Sequence, residues 1–374
     1  MRTDPLIPDS DIRPRRQKLY EAFDAYYSGL CEETERTREG RWSRDFSSIE
    51  AYERSIEPNR QRFLQMLGGW RWERGDLRPR VEHVLDTDAY RLERVWLTCF
   101  EGIEIDCLLL TPPGEGPRPV VMAQHGLSGC PEEVCGFSEY GAAYGRIGIR
   151  LAEAGYTVIA PHMVGGYGEG ERGRTYVAGL EGISWGRART RLNRKAFQVG
   201  QRVFAAELFC LSRAVDWVQT LPDVMPERIG FYGLSQGGQT ALWFPAVERR
   251  VKAVVGASFF NHRYKKQVIS GVSDYTAYLD TEEEDKFYPA QLLEFSDSDI
   301  ASMICPRAYM VEQGNHDMSV HPDCARFEFA KLKAIYEGLG IGERAELLIF
   351  EGKHEIRGIE GIAFLNRWLR EEPI

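Results

Sequence analysis

No stretch of the 374 residues carries about 18 consecutive apolar side chains, the length a helix needs to cross a bilayer, so a membrane-spanning helix is not expected. Basic charge is in deficit: 47 Lys and Arg stand against 56 Asp and Glu, a formal net charge of -9, and no basic tract offsets it. A field of that sign repels phosphate backbones, which argues against a nucleic-acid partner. The eight cysteines, at 31, 99, 107, 130, 135, 210, 305 and 324, lack the spacing of a disulfide framework and read as buried thiols. His125, Cys130 and Cys135 lie close together in sequence, but no second close pair completes a metal site. Internal repeats and low-complexity segments are missing too. Met1-Arg2-Thr3-Asp4-Pro5 puts charge and proline where a signal peptide would need an apolar core, so a cytoplasmic protein is expected, with a small molecule as its partner and a homo-oligomer left open.

What is present is an ordinary globular composition, 43% hydrophobic and 28% charged, and one stretch around which the rest is arranged. Arg228 to Leu234 is a short apolar run that ends in Gly233-Leu234-Ser235-Gln236-Gly237 and passes into helix-compatible residues. Gly-x-Ser-x-Gly at the end of a strand is the pattern of a nucleophile elbow: a serine hydroxyl is a weak nucleophile, and a sharp, exposed turn lets a base and anion-stabilising N–H groups reach it. Downstream, Pro306 to Gln313 reads as a strand running into Gly314-Asn315-His316-Asp317, and Ala345 to Phe350 as a strand leading to Gly352-Lys353-His354. The order is Ser, Asp, His. Ser235 is expected as nucleophile, His354 as general base and Asp317 as the group that orients the imidazole. Glu312 and Asp323 rival Asp317; His316 and His321 rival His354, but neither follows the last strand.

These three strand-end residues, in this order, make the chain resemble the α/β-hydrolase superfamily in its dienelactone-hydrolase and acetyl-xylan-esterase-like branches, over roughly residues 80 to 372. The resemblance implies a mostly parallel central sheet with helices on both faces. It also implies that His125-Gly126, after the strand Pro119 to Ala123, is the oxyanion loop, with the backbone N–H groups of Leu127 and Gln236 as donors. Gly-x-Ser-Gln-Gly-Gly with a later His-Glu pair is similar to deacetylases of acetylated sugars and cephalosporins, although their Arg-Gly-Gln motif is replaced here by Pro161-His162-Met163-Val164-Gly165-Gly166.

Along the chain, residues 1–78 read as a helical extension and 79–374 as the α/β-hydrolase domain. Leu19, Phe23, Tyr26, Tyr27 and Leu30 follow a helical period; a second pattern through Ile49, Tyr52 and Ile56 is interrupted at Pro58 and resumes at Phe63. These helices are expected to be short and to need apolar surface of the main domain or of a second subunit. Residues 81–111 alternate as an antiparallel hairpin turning at Glu101-Gly102, and Glu139 to Ala154 is expected as one helix before a strand at Tyr156 to Ala160. Gly168 to Gly173 matches a dinucleotide fingerprint by letter only, since two glutamates would face the phosphates; no cofactor is expected. Arg187, Arg189, Arg191, Arg194 and Lys195 read as a solvated face. Pro245 predicts a kink or early end of the helix after the elbow, and 261–300 a cap insertion over the site. His162, Met163, Tyr167, Trp185, Phe259, Phe260, Asn261 and His262 are the candidate substrate-binding residues. Hydrolysis of a carboxylic ester leads; a C–C hydrolase, an oligopeptidase-type peptidase and a catalytically silent ligand-binding fold stay open.

Overall fold

Three antiparallel strands open the sheet, and alternating apolar residues mark the second of them. β1 (Arg80–Asp86) pairs antiparallel with β2 (Arg91–Phe100), which pairs antiparallel with β3 (Ile103–Thr111), one strand more than the expected hairpin. Gly102 makes the β2–β3 turn at φ 76°, a left-handed conformation that favours glycine. The computed structural model describes residues 7–127, 129–164, 185–271, 276–281 and 283–371, with the side chains of 185–187 outside that description. Beyond β3 come β4 (Arg118–Gln124), β5 (Thr157–Pro161), β6 (Val224–Leu234), β7 (Val251–Ala257), β8 (Ala308–Gly314) and β9 (Ala345–Phe350). They complete a nine-stranded sheet in the order β1-β2-β3-β5-β4-β6-β7-β8-β9, parallel from β5 to β9.

The parallel strands inside the sheet are buried on both faces and read as apolar runs, whereas β9, at the edge, is only partly buried. On β4, Val120 and Met122 join one core while Val121 and Ala123 join the other. The first core is covered by α2 (Ile49–Ser55), α3 (Glu57–Met66), α7 (Val203–Val218), α8 (Gln236–Val247), α11 (Asp297–Ser302) and α12 (Pro322–Gly338). The second is covered by α4 (Pro131–Cys135), α5 (Ile147–Glu153) and α13 (Ile359–Asn366). From β4 the chain goes to one side for β5 and to the other for β6. That reversal leaves a crevice outside the carboxyl ends of β4 and β6, the position where open α/β sheets bind ligands.

Several local expectations are corrected. The helix expected from Glu139 begins only at Ile147, because Gly141 at φ 92° and Gly145 at φ 56° bracket a single 3-10 turn, Ala142–Tyr144. The expected interruption at Pro58 is present: α2 ends at Ser55, and Pro58 sits in the first turn of α3, where its missing N–H costs nothing. The early end expected at Pro245 is also present, since α8 stops at Val247. Arg189, in α6 (Trp185–Gln198), is not solvated: it is fully buried, with its guanidinium 2.6 Å from both Glu207 and Asp285. The carboxylates meet it from α7 and from the turn Glu284–Lys286, contacts that charge patterning along α6 could not reveal.

The extension opens with α1 (Asp9–Thr37), an unbroken helix of 29 residues rather than a short one, yet its only buried side chain is Thr34. Its aromatic stripe is exposed, with no described residue burying it. The later part of the extension is integral to the core: Tyr52, Ile56, Phe63 and Leu67 are fully buried, and Phe63 packs edge-on against Trp243 and Phe295 with centroids 5.3 Å away in each case. The expected cap carries α9 (Arg263–Val268), α10 (Gln291–Glu294) and α11, and it docks on the extension. Arg44 reaches Asp299 at 2.7 Å, Trp42 Nε1 donates to the Glu294 carbonyl at 2.9 Å, and Tyr52 Oη to that of Ser302 at 3.0 Å. Among the described residues no helix is long and apolar enough to cross a membrane. Phe63→Ala is expected to lower stability by about 3–5 kcal/mol, measured by denaturant unfolding, since it leaves a cavity between two aromatic rings that cannot collapse.

Candidate active site

Tight packing of three chain segments creates the elbow. Ser235, between β6 and α8, is held at φ 62° and ψ -115°, and its N–H donates to the Ala257 carbonyl of β7 at 2.9 Å. A non-glycine residue there costs about 1–3 kcal/mol, strain that persists only where the surroundings enforce it. The flanking glycines explain how they do. A Cβ at Gly233 would stand 2.2 Å from the Gly237 carbonyl oxygen, and one at Gly237 would stand 2.4 Å from that of Gln124.

Asp317 and His354 are brought together by the loops after β8 and β9. The Asp317 side chain is fully buried and its Oδ2 accepts from His354 Nδ1 at 2.9 Å, while the Ser319 N–H holds Oδ1 at 2.7 Å. Burial works to raise the Asp317 pKa, but the hydrogen bond and charge of His354, with the Ser319 N–H, outweigh it and hold the carboxyl below its usual range. A carboxylate can only accept, so the Nδ1 proton is fixed and Nε2 is the nitrogen left to act as base. Ser235 and His354 line one cavity of about 510 Å³; among the described residues they share no direct hydrogen bond. Such contacts commonly tighten only once substrate is bound.

The rivals are occupied elsewhere. Glu312 is fully buried at the end of β8; one carboxylate oxygen accepts from the Tyr232 hydroxyl, the other from the N–H groups of Arg357 at 2.5 Å and Gly358 at 2.9 Å. Burial raises its pKa. Glu312 therefore anchors the chain just beyond His354. Asp323 is exposed and paired with Arg326 at 2.9 Å, His316 with Glu351 at 2.8 Å, and His321 caps α12.

The loop after β4 is built around a neutral histidine. His125 Nδ1 donates to the Gly126 carbonyl at 2.7 Å and Nε2 accepts the Met163 N–H at 3.1 Å, an assignment that requires the uncharged ring. Burial agrees, drawing its pKa down to about 4. The Gly126 N–H is taken by the Tyr144 hydroxyl at 2.9 Å, and a Cβ on Gly126 would lie 3.0 Å from that of Ser235. The loop thus lies directly against the nucleophile position. The Leu127 and Gln236 N–H groups are paired with no other described residue, and Gln236 begins α8, whose first amides are intrinsically unsatisfied.

The cavity wall differs from the expected one. It is formed by Glu133, Glu139, Tyr140 and Tyr144 with the loop between them, tied to the His354 loop by the Ile356 N–H and the Ala143 carbonyl at 2.8 Å. The glycines at 141 and 145 were the available signal for that loop. None of the candidate substrate-binding residues whose side chains are described lines this cavity. His162 Nδ1 pairs with Asp106 at 3.1 Å and its ring meets His125 edge-on; the Met163 side chain is core. Phe260 is buried between Tyr309 and Phe329, and His262 is bonded to Glu35 of α1 at 2.8 Å, so packing and the extension claim both. Phe259 lies under the Arg263 guanidinium, and the Asn261 N–H donates to Asp297. Tyr167 lies outside the described residues, as does the side chain of Trp185. No described residue of 261–300 lines the cavity, which leaves the expected cap in contact with the extension instead.

His125 also sets a pH response. Its folded pKa of about 4 lies below the ordinary 6.5, so the unfolded chain binds the extra proton first. The stability it contributes is complete above pH 6.5 and is lost as pH falls towards 4. His125→Asn, which keeps a donor for Gly126 but does not titrate, should flatten the fall in stability across that window in denaturant titrations by up to one proton's worth of slope.

Residues 105–305 match the dienelactone hydrolase family, a span that contains Ser235 and the β4 loop but ends before Asp317 and His354. YtaP of Bacillus subtilis (strain 168), described as a hydrolase, is 28% identical over 263 residues, covering 68% of this chain and 80% of its own. A Bacteroides fragilis structure described as an acetyl xylan esterase superposes with a TM-score of 0.66 at 14% identity, over 87% of this chain and 82% of that one. A glucuronoyl esterase from Solibacter usitatus gives 0.62 at 16% identity, over 86% and 94%. At such identities the structural likeness speaks for the α/β-hydrolase fold. With more than half of its length matched by the family, and with a strained serine at the strand–helix turn that family model spans, the chain belongs to the dienelactone hydrolase family.

Proposed function

We propose that the protein is a serine hydrolase that cleaves a carboxylic ester of a small molecule through an acyl-enzyme. The observation that carries this reading is the 2.9 Å bond between buried Asp317 and His354, in a site whose cavity is shared with a serine in a strained turn. Ser235 Oγ attacks the ester carbonyl as His354 Nε2 takes its proton; the developing oxyanion is received by the Leu127 and Gln236 N–H groups. The protonated imidazole, steadied by Asp317, then gives the proton to the departing alkoxide. Water, deprotonated by the same nitrogen, attacks the acyl group and releases the acid and Ser235. Support for an ester over an amide or a C–C bond comes from the esterase descriptions of the similar folds. A cavity of about 510 Å³ suits a small substrate.

Ser235→Ala and His354→Ala should each reduce turnover of p-nitrophenyl esters by several orders of magnitude, and the double change should cost little more, because the two act as one unit. Additive losses, or near-normal rates in either single variant, refute the assignment. A fluorophosphonate should label Ser235 in the wild type and nothing in Ser235→Ala.

Asp317→Asn should lower kcat on the order of 10⁴-fold by disturbing the imidazole tautomer, with the fold kept by circular dichroism. Glu312→Gln should lower it far less and act mainly on stability, since Glu312 accepts from Tyr232 and from the chain after His354. The reverse ranking would move the orienting role to Glu312.

A further inference from the structure

The first helix presents surface that the single chain leaves unused. Leu19, Tyr20, Phe23, Tyr26, Tyr27 and Leu30 of α1 are each 50–73% exposed. Leu19, Phe23, Tyr26 and Leu30 repeat at spacings of four, three and four, which keeps them on one seam of a helix. The stripe ends in an apolar groove of about 670 Å³, walled by Tyr27, Leu30 and Cys31 on one side and by Val268, Phe287 and Leu293 on the other. Large aromatic and aliphatic side chains exposed to this degree leave on the order of 600 Å² per copy to be buried, close to one partner's share of a standard interface.

Charge along α1 selects the occupant. Its first half sets Arg13, Arg15, Arg16 and Lys18 against Asp9, Asp11 and Glu21, a net positive charge; its second half sets Asp24, Glu32, Glu33 and Glu35 against Arg36 alone, a net negative one. Two such helices side by side in parallel would set like charges against one another. Antiparallel, about a twofold axis near Asp24, Arg15 stands opposite Glu33 of the other copy on one flank of the seam, Arg16 near the level of Cys31 on the other flank, and Leu19 beside the groove. A twofold interface must be self-complementary in this way, each half of the patch meeting the other half of its copy.

We propose that α1 pairs antiparallel with α1 of a second copy of this chain, its first half lying along the partner's groove between α1 and the segment 267–293. The surface is separate from the Ser235 cavity, so hydrolysis does not depend on it. Phe23 and Tyr26 touch only Tyr27 among the aromatic contacts of the described chain, so changing them spares the core.

The full-length protein should run in light scattering at about twice its 42.7 kDa mass. Phe23→Glu/Tyr26→Glu should halve that mass while leaving ester turnover and circular dichroism unchanged. Arg16→Cys should give an interchain disulfide with the native Cys31 under mild oxidation, and adding Cys31→Ser should abolish it. A monomeric wild type, a dimer that survives Phe23→Glu/Tyr26→Glu, or a cross-link that survives Cys31→Ser would overturn the proposal. So would a wild-type monomer that floats with phosphatidylcholine–phosphatidylglycerol vesicles, which would make the stripe a membrane contact.

Discussion

Close backbone packing at the carboxyl ends of β4, β6 and β7 is the constraint on which the site depends. Only glycine fits at 233 and 237, where any side chain would run into the backbone of the elbow helix or of β4. The Ser235 N–H is bonded to β7 at the same point. The serine is strained because the sheet gives it no relaxed alternative, and the strain positions it beside the Gly126 loop and the first amides of α8. Everything else that the proposed chemistry needs is a loop brought to that fixed point.

Those loops are held by buried polar groups as well as by the apolar packing of Tyr144 and Ile356. Glu312 accepts two amides of the chain after His354, Asp317 holds the imidazole, and neutral His125 bonds both its own loop and the strand-end at Met163. A buried carboxylate with its acceptors filled is costly to remove on one side only, which makes such groups effective position markers. Arg189 with Glu207 and Asp285, and Arg263 with Asp297, do the same work further out, joining α6, α7 and the segment after β7 into one body.

The extension divides into parts with different physics. Tyr52, Ile56 and Phe63 belong to the main core, and Arg44, Trp42 and Tyr52 fasten the segment that follows β7. That segment was expected over the site. It docks on the extension instead, where Asp299 and the main-chain carbonyls of 294 and 302 find their partners. The first helix meets the segment after β7 towards its carboxyl end, where Glu35 pairs with His262, and its seam from Leu19 to Leu30 stays exposed among the described residues.

Local pattern was enough for the strands, the elbow and the order of Ser235, Asp317 and His354, since each follows its own strand directly and strand ends in a parallel sheet share one edge. The sequence alone also determined that helices would precede the sheet, through the period of Leu19 to Leu30 and of Ile49 to Phe63. Tertiary structure decided which residues wall the cavity: Glu133, Tyr140 and Tyr144 rather than Phe260 or His262. It decided likewise that Arg189 is buried and that Glu312 is an anchor. Periodicity reports how a residue sits on its own element, whereas these roles depend on which distant segment arrives opposite it. That is settled by the packing of whole elements, and no single stretch of chain encodes it.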